Sequence, residues 1–178
     1  MSLNRGVAAL GAVAVVGAAT LGVSIPLAIH YGKPVSNVSV VAGSHWTQIA
    51  PLPECWNKGD ALSDKQQAKC LAAVSAAVQG NKLPTAIVPS AGGSFGINVD
   101  QAVIENNHSW QAKGLTGALV PTTKHAYAGP LSITTVLTTQ DPQTGATSVG
   151  ASGPVLVAEV DANKNIYGEW LFQLKVAN

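Results

Sequence analysis

Ile166-Tyr-Gly-Glu-Trp-Leu-Phe-Gln-Leu-Lys-Val176 (IYGEWLFQLKV) alternates between two kinds of side chain. Ile166, Gly168, Trp170, Phe172, Leu174 and Val176 fall on one side, and Tyr167, Glu169, Leu171, Gln173 and Lys175 on the other. Successive side chains of an extended chain point to opposite faces, so this pattern specifies a long strand with one face in a core. Residues 154–160 (PVLVAEV) form a second strand, joined to the first by the polar turn Asp161-Ala-Asn-Lys-Asn165.

The same logic extends towards the N-terminus. Residues 132–139 read as a third strand, ended by the turn-rich Asp141-Pro-Gln-Thr-Gly145. Phe95, Ile97 and Val99 alternate with Gly96, Asn98 and Asp100, and residues 85–88 make a short strand bounded by prolines. Residues 35–41 and 45–49 form a hairpin about Ala42-Gly43-Ser44, while Asn106-Asn107 and residues 145–153 read as loops. Several short strands separated by Gly, Pro, Asn and Asp predict a mainly β domain, an antiparallel sandwich or open barrel, over residues 34–178. About 145 residues suffice for one core.

One helix interrupts the β pattern. Ser63-Asp64-Lys65-Gln66 is a capping box, Leu71, Val74 and Val78 follow at helical spacing, and Gly80-Asn81 supplies a stop. Cys70 lies in this helix on the face of Val74 and Ala77, and Cys55 is the only other cysteine. An even count in an exported domain predicts a Cys55–Cys70 disulfide that tethers the helix to the segment carrying Trp56. Closing a loop of about 15 residues is worth roughly 3 kcal/mol in the chain-entropy model.

Residues 1–33 have a different character. The uncharged run GVAALGAVAVVGAATLGVSIPLAI at 6–29 is preceded by Arg5 and followed by His30, Tyr31 and Lys33. As a helix it would be roughly 36 Å long, enough to span a hydrocarbon core of about 30 Å. The expectation is a single-pass membrane anchor with a cytoplasmic N-terminus and an extracytoplasmic domain, oriented by Arg5 and the amino terminus. A cleaved signal peptide is the rival reading, with Ala12-Val13-Ala14 and Gly17-Ala18-Ala19 as small-residue sites, and a buried helix of a soluble fold is a third. Gly11, Ala14, Ala18 and Gly22 recur at helical spacing and offer a face on which another membrane helix can pack closely. Pro26 should kink or end the helix near its outer end.

Charge and motifs argue mainly by exclusion. After residue 33 there are eight Lys, no Arg and nine acidic residues, a balance of −1. That argues against a nucleic-acid partner, which requires a basic patch. Gly92-Gly93-Ser94-Phe95-Gly96 matches Gly-x-Ser-x-Gly, but a nucleophile elbow needs a helix after the serine, and here a strand pattern follows. His45-Trp46, His108-Ser-Trp110 and His125-Ala-Tyr127 pair a histidine with an aromatic ring, without the spacing of a zinc or haem site. Trp46, Trp56, Trp110 and Trp170 read as core or interface residues. No catalytic residue, metal or cofactor is expected.

The anchor, the Trp46-Thr-Gln-Ile49 strand, the bridge from Pro53-Glu-Cys-Trp56 to Cys70 and the closing Gly168-Glu-Trp170 strand resemble an actinobacterial exported family known as a domain of unknown function. The resemblance covers most of residues 35–177 and brings no catalytic residues with it. In build the chain is also similar to small anchored accessory subunits on the outer face of the actinobacterial cytochrome bcc–aa3 respiratory supercomplex. That likeness implies a non-catalytic subunit without haem, copper or quinone, held by the bilayer and by subunits of a membrane complex. The alternative is an anchored envelope module that binds a lipid, glycan or peptide in a cleft of the β-domain.

Overall fold

The computed structural model describes residues 35–114, 117–140 and 144–177. The anchor read over residues 1–33, with its Gly11, Ala14, Ala18 and Gly22 face, lies outside the described residues. Among the described residues no helix is long and apolar enough to cross a membrane.

The elements are β1 (Val38–Ala42), β2 (His45–Ile49), α1 (Asp64–Gln79), β3 (Thr85–Val88), β4 (Ser94–Val99), β5 (Ser109–Gly114), β6 (Gly117–Thr123), β7 (Tyr127–Ser132), α2 (Ile133–Leu137), β8 (Thr138–Gln140), β9 (Thr147–Val149), β10 (Ser152–Val160) and β11 (Ile166–Val176). They build a mainly β, sandwich-like domain from a four-stranded sheet, β2-β1-β4-β7, and a five-stranded sheet, β3-β11-β10-β5-β6. β8 and β9 form a separate two-stranded ribbon.

Period-two patterning accounts for the core. Val38, Val40, Ala42, Phe95, Ile97 and Val99 of the four-stranded sheet join Trp110, Ala112, Val155, Val157, Trp170, Phe172 and Leu174 of the five-stranded sheet in one buried cluster. Indole N–H groups inside a core need acceptors. Trp170 Nε1 donates to Ser36 O at 2.9 Å, and Trp110 Nε1 donates to His125 O at 2.7 Å. Each bond links the five-stranded sheet to backbone that leads into the other sheet.

The 35–49 hairpin, the 85–88 strand and the 166–176 strand are all present. Gly43 at φ +61° opens the two-residue turn between Ala42 and its partner His45, where a left-handed conformation is required. The sheets are antiparallel except that β3 pairs parallel with β11, Thr85 opposite Gln173. In α1, Ser63 N–H donates to Gln66 Oε1 at 3.0 Å. The left-handed residue at its C-terminus is Asn81, at φ 50°, not Gly80. Lys82 N–H to Ala77 O and Asn81 N–H to Val78 O complete a Schellman closure.

Residues 132–139 correct the third-strand reading. β7 ends at Ser132, α2 spans Ile133–Leu137, and extended structure resumes only from Thr138. Ile133, Val136 and Leu137 are buried at helical spacing, a period that the β-branched composition masked. Thr134 Oγ1 donates to Ala91 O and Thr138 Oγ1 to Thr134 O, which fixes the turn. α2 rests on β10 where Gly153 has no side chain; a Cβ there would lie 2.5 Å from Val136 O.

Candidate functional site

Three places on the domain bring chemistry-bearing side chains together. The first is the disulfide. Cys55 and Cys70 are bonded as expected, both buried, with Cα atoms 4.7 Å apart. Cys70 is the only buried residue of α1, and Leu71 is 67% exposed. The bridge therefore does much of the work of holding α1. Trp56, next to Cys55, bridges Gly168 and packs on Trp170 with ring centroids 6.2 Å apart. Gly168 permits this, because a Cβ would meet Trp56 Cε3 at 3.0 Å.

Glu169 Oε2 lies 2.9 Å from Cys70 Sγ. A disulfide sulfur carries no hydrogen, so the carboxyl bonds it only when protonated and donating. Burial pushes the Glu169 carboxyl up from its ordinary range, and Lys113 opposes the shift. Cys55, Cys70 and Glu169 place ligand-type atoms within 4.8 Å of one another, but the S–S bond removes the thiolates a metal needs.

The second place is a buried polar corner that sequence reasoning missed. Glu159 shares the inward face of β10 with Val155 and Val157, yet it is a carboxylate. His108 Nδ1 is 2.6 Å from Glu159 Oε1, and the His108 ring packs against Tyr167, tilted by 40° with centroids 4.0 Å apart. Tyr167 OH reaches Asp161 Oδ2 at 3.4 Å. Desolvation, and then the Asp161 charge, raise the Tyr167 phenol above its ordinary value. Asp161 organises the β10–β11 turn by accepting from Asn165 Nδ2 and from the backbone N–H groups of Asn163 and Asn165. The Asn165 side chain is the main cause of a lowered Asp161 pKa. Beside this corner an open trough of about 520 Å³ runs between Gln111, Lys113, Thr122, Lys164 and Ile166. The signal for the pair was present as a charge on an apolar stripe; its partner lies 51 residues away and needs the strand order to be found.

The third place is the outer face of the four-stranded sheet. Register puts Trp46, Val41 and Gly96 in one cross-strand row, and Gln48, Ser39, Asn98 and Tyr127 in the next. Trp46 is 62% exposed and Tyr127 54%. The Tyr127 ring lies over two glycines: a Cβ would meet its hydroxyl at 2.5 Å from Gly96 and at 2.4 Å from Gly129. Two side-chain-free positions thus let the ring lie flat along the sheet. None of β1, β2, β4 and β7 contains a Lys, Arg, Asp or Glu.

The remaining candidates separate. Ser94 opens β4 opposite Ser132, so a strand follows it and not the helix of a nucleophile elbow. His45 and His125 are exposed, far in chain and role from the buried His108. Trp110 and Trp170 are core residues, Trp56 is half-buried, and Trp46 alone is largely open.

No family model matches this chain, and no curated protein matches it.

Proposed function

We propose that residues 34–178 are a non-catalytic recognition module, carried outside the cell by an N-terminal membrane anchor. Its contact surface is the outer face of the four-stranded sheet. The observation that supports this is the pairing of two exposed aromatic rings, Trp46 and Tyr127, on a face whose strands carry no formal charge. Large exposed aromatics are costly to leave in water and are enriched where proteins meet partners.

A photo-crosslinking side chain placed at Trp46 or Tyr127 of the full-length chain tests the reading in its native cells. Adducts are expected from both positions and not from Lys65 on exposed α1. Adducts from Lys65 alone would sink it.

A second reading, an accessory subunit of a membrane complex such as the respiratory bcc–aa3 supercomplex, draws support from α1. Leu71 and Val78 are exposed at 67% and 48%, one above the other at a spacing of two helical turns. On that reading, replacing Ala14 and Ala18 with Leu lowers co-purification with the complex, because packing through the small-residue face is blocked. Unchanged stoichiometry would count against it.

A further inference from the structure

We infer that the outer face of the four-stranded sheet binds a neutral, linear glycan, with Trp46 and Tyr127 as its two stacking platforms. The inference rests on the reading of that face as the contact surface and names its ligand class.

Three features carry it. First, the geometry suits sugar rings. Trp46 on β2 and Gly96 beneath the Tyr127 ring are two strands apart, roughly 10 Å at the usual strand spacing of about 4.8 Å. That is a span for two pyranoses separated by one intervening unit of an extended saccharide chain. The axial C–H groups of a pyranose form an apolar face, and the quadrupole of an aromatic ring attracts polarised C–H edges.

Second, the surroundings match the rim of a sugar. Gln48 and Asn98 are exposed amides in the row beside Trp46, and Ser94 adds a hydroxyl on the same side of β4. Amides both donate and accept, as the vicinal hydroxyls of a sugar do.

Third, charge selects against other occupants. A phosphorylated, acidic or basic ligand would find no counter-charge on β1, β2, β4 or β7.

The test uses the full-length chain in a sugar-free detergent. The probes are linear neutral hexasaccharides of glucose, mannose, galactose and N-acetylglucosamine, titrated by calorimetry and by tryptophan fluorescence. Trp110 and Trp170 are fully buried and half-buried Trp56 packs on Trp170, so a fluorescence change on binding that is lost in Trp46→Phe reports on Trp46. At least one probe is expected to bind, Trp46→Ala and Tyr127→Ala should each weaken it tenfold or more, and Trp46→Phe should keep most of the affinity. Both alanine variants should unfold close to wild type, since each side chain is more than half exposed. No binding by any probe overturns the inference, as does binding that both alanine variants leave unchanged. If no probe binds but crosslinks from Trp46 and Tyr127 join a protein, the glycan assignment falls and the contact surface stands. If neither occurs, both fall.

Discussion

The two sheets present opposite outer surfaces to solvent. The five-stranded sheet faces outward with Gln111, Lys113, Leu156, Ala158 and Glu169, and it carries the tethered α1 and the turn ordered by Asp161. The four-stranded sheet faces outward with Trp46, Val41, Gln48, Asn98 and Tyr127, without a formal charge. Both bury the same kind of inward face, so folding alone does not require the difference. Natural sheets protect their edges with charge. The four strands β1, β2, β4 and β7 carry no Lys, Arg, Asp or Glu, a contrast that the proposed contact surface would account for.

The comparison predicts unequal consequences for changes on the two sides. Cys70→Ser should have the largest effect, about 3 kcal/mol of stability from a closed loop of about 15 residues. Hydrogen exchange should show α1 amides losing protection before those of β11, because only Cys70 of that helix is buried. Equal loss in both elements would mean that α1 is held by more than the bridge.

Glycine substitutions sharpen the contrast between interior and open face. Gly153→Ala drives a Cβ against the backbone oxygen of Val136, which cannot swing away, and should cost about 2 kcal/mol in urea titration. Gly96→Ala meets only the end of the Tyr127 ring. It should change stability by less than about 0.5 kcal/mol while displacing the ring and weakening glycan binding. Similar stability losses at both sites would show that Tyr127 is packed as firmly as the core.

On the charged side, Glu169→Gln should stabilise the domain at neutral pH by up to about 1 kcal/mol, allowing for its partial exposure. The sign follows from a raised pKa. Protonated Glu169 suits its site, so its contribution is fully present below the ordinary carboxylate range and is lost as pH rises through the raised folded value. Wild type and variant should therefore converge in acid and diverge as pH rises above the ordinary glutamate range, about 4.3. A constant difference across pH would assign the effect to packing. The smallest change is expected from Trp46→Ala, within about 0.5 kcal/mol. A larger loss would recast Trp46 as structural and remove one platform from the open face.

Much of this architecture was legible in local pattern. The 166–176 alternation and the Ser63–Gln66 capping box each rest on neighbours within one turn or one strand. α2 was not legible, because Ile133-Thr-Thr-Val-Leu137 satisfies strand propensity and helical spacing equally, and burial against Gly153 decides between them. The His108–Glu159 pair and the Trp46–Tyr127 face were not legible for another reason. Each depends on which strands are neighbours, and β5 next to β10, or β4 between β1 and β7, is a property of topology. The disulfide could be read without topology because two cysteines leave one pairing.

The parallel pairing of β11 with β3 has a consequence for biogenesis. β11 lies between β3 and β10, and Trp170 closes on Ser36 across 134 residues of chain. A polypeptide delivered N-terminus first, from a ribosome or through a translocation pore, presents β1 to β10 with no strand to join β3 to β10. Closure of the sandwich therefore waits for β11 to emerge, as expected of long-range β contacts. Until then the chain remains threadable, and a product that stops before Ile166 would lack β11 and stay open to proteases instead of folding as a shortened domain.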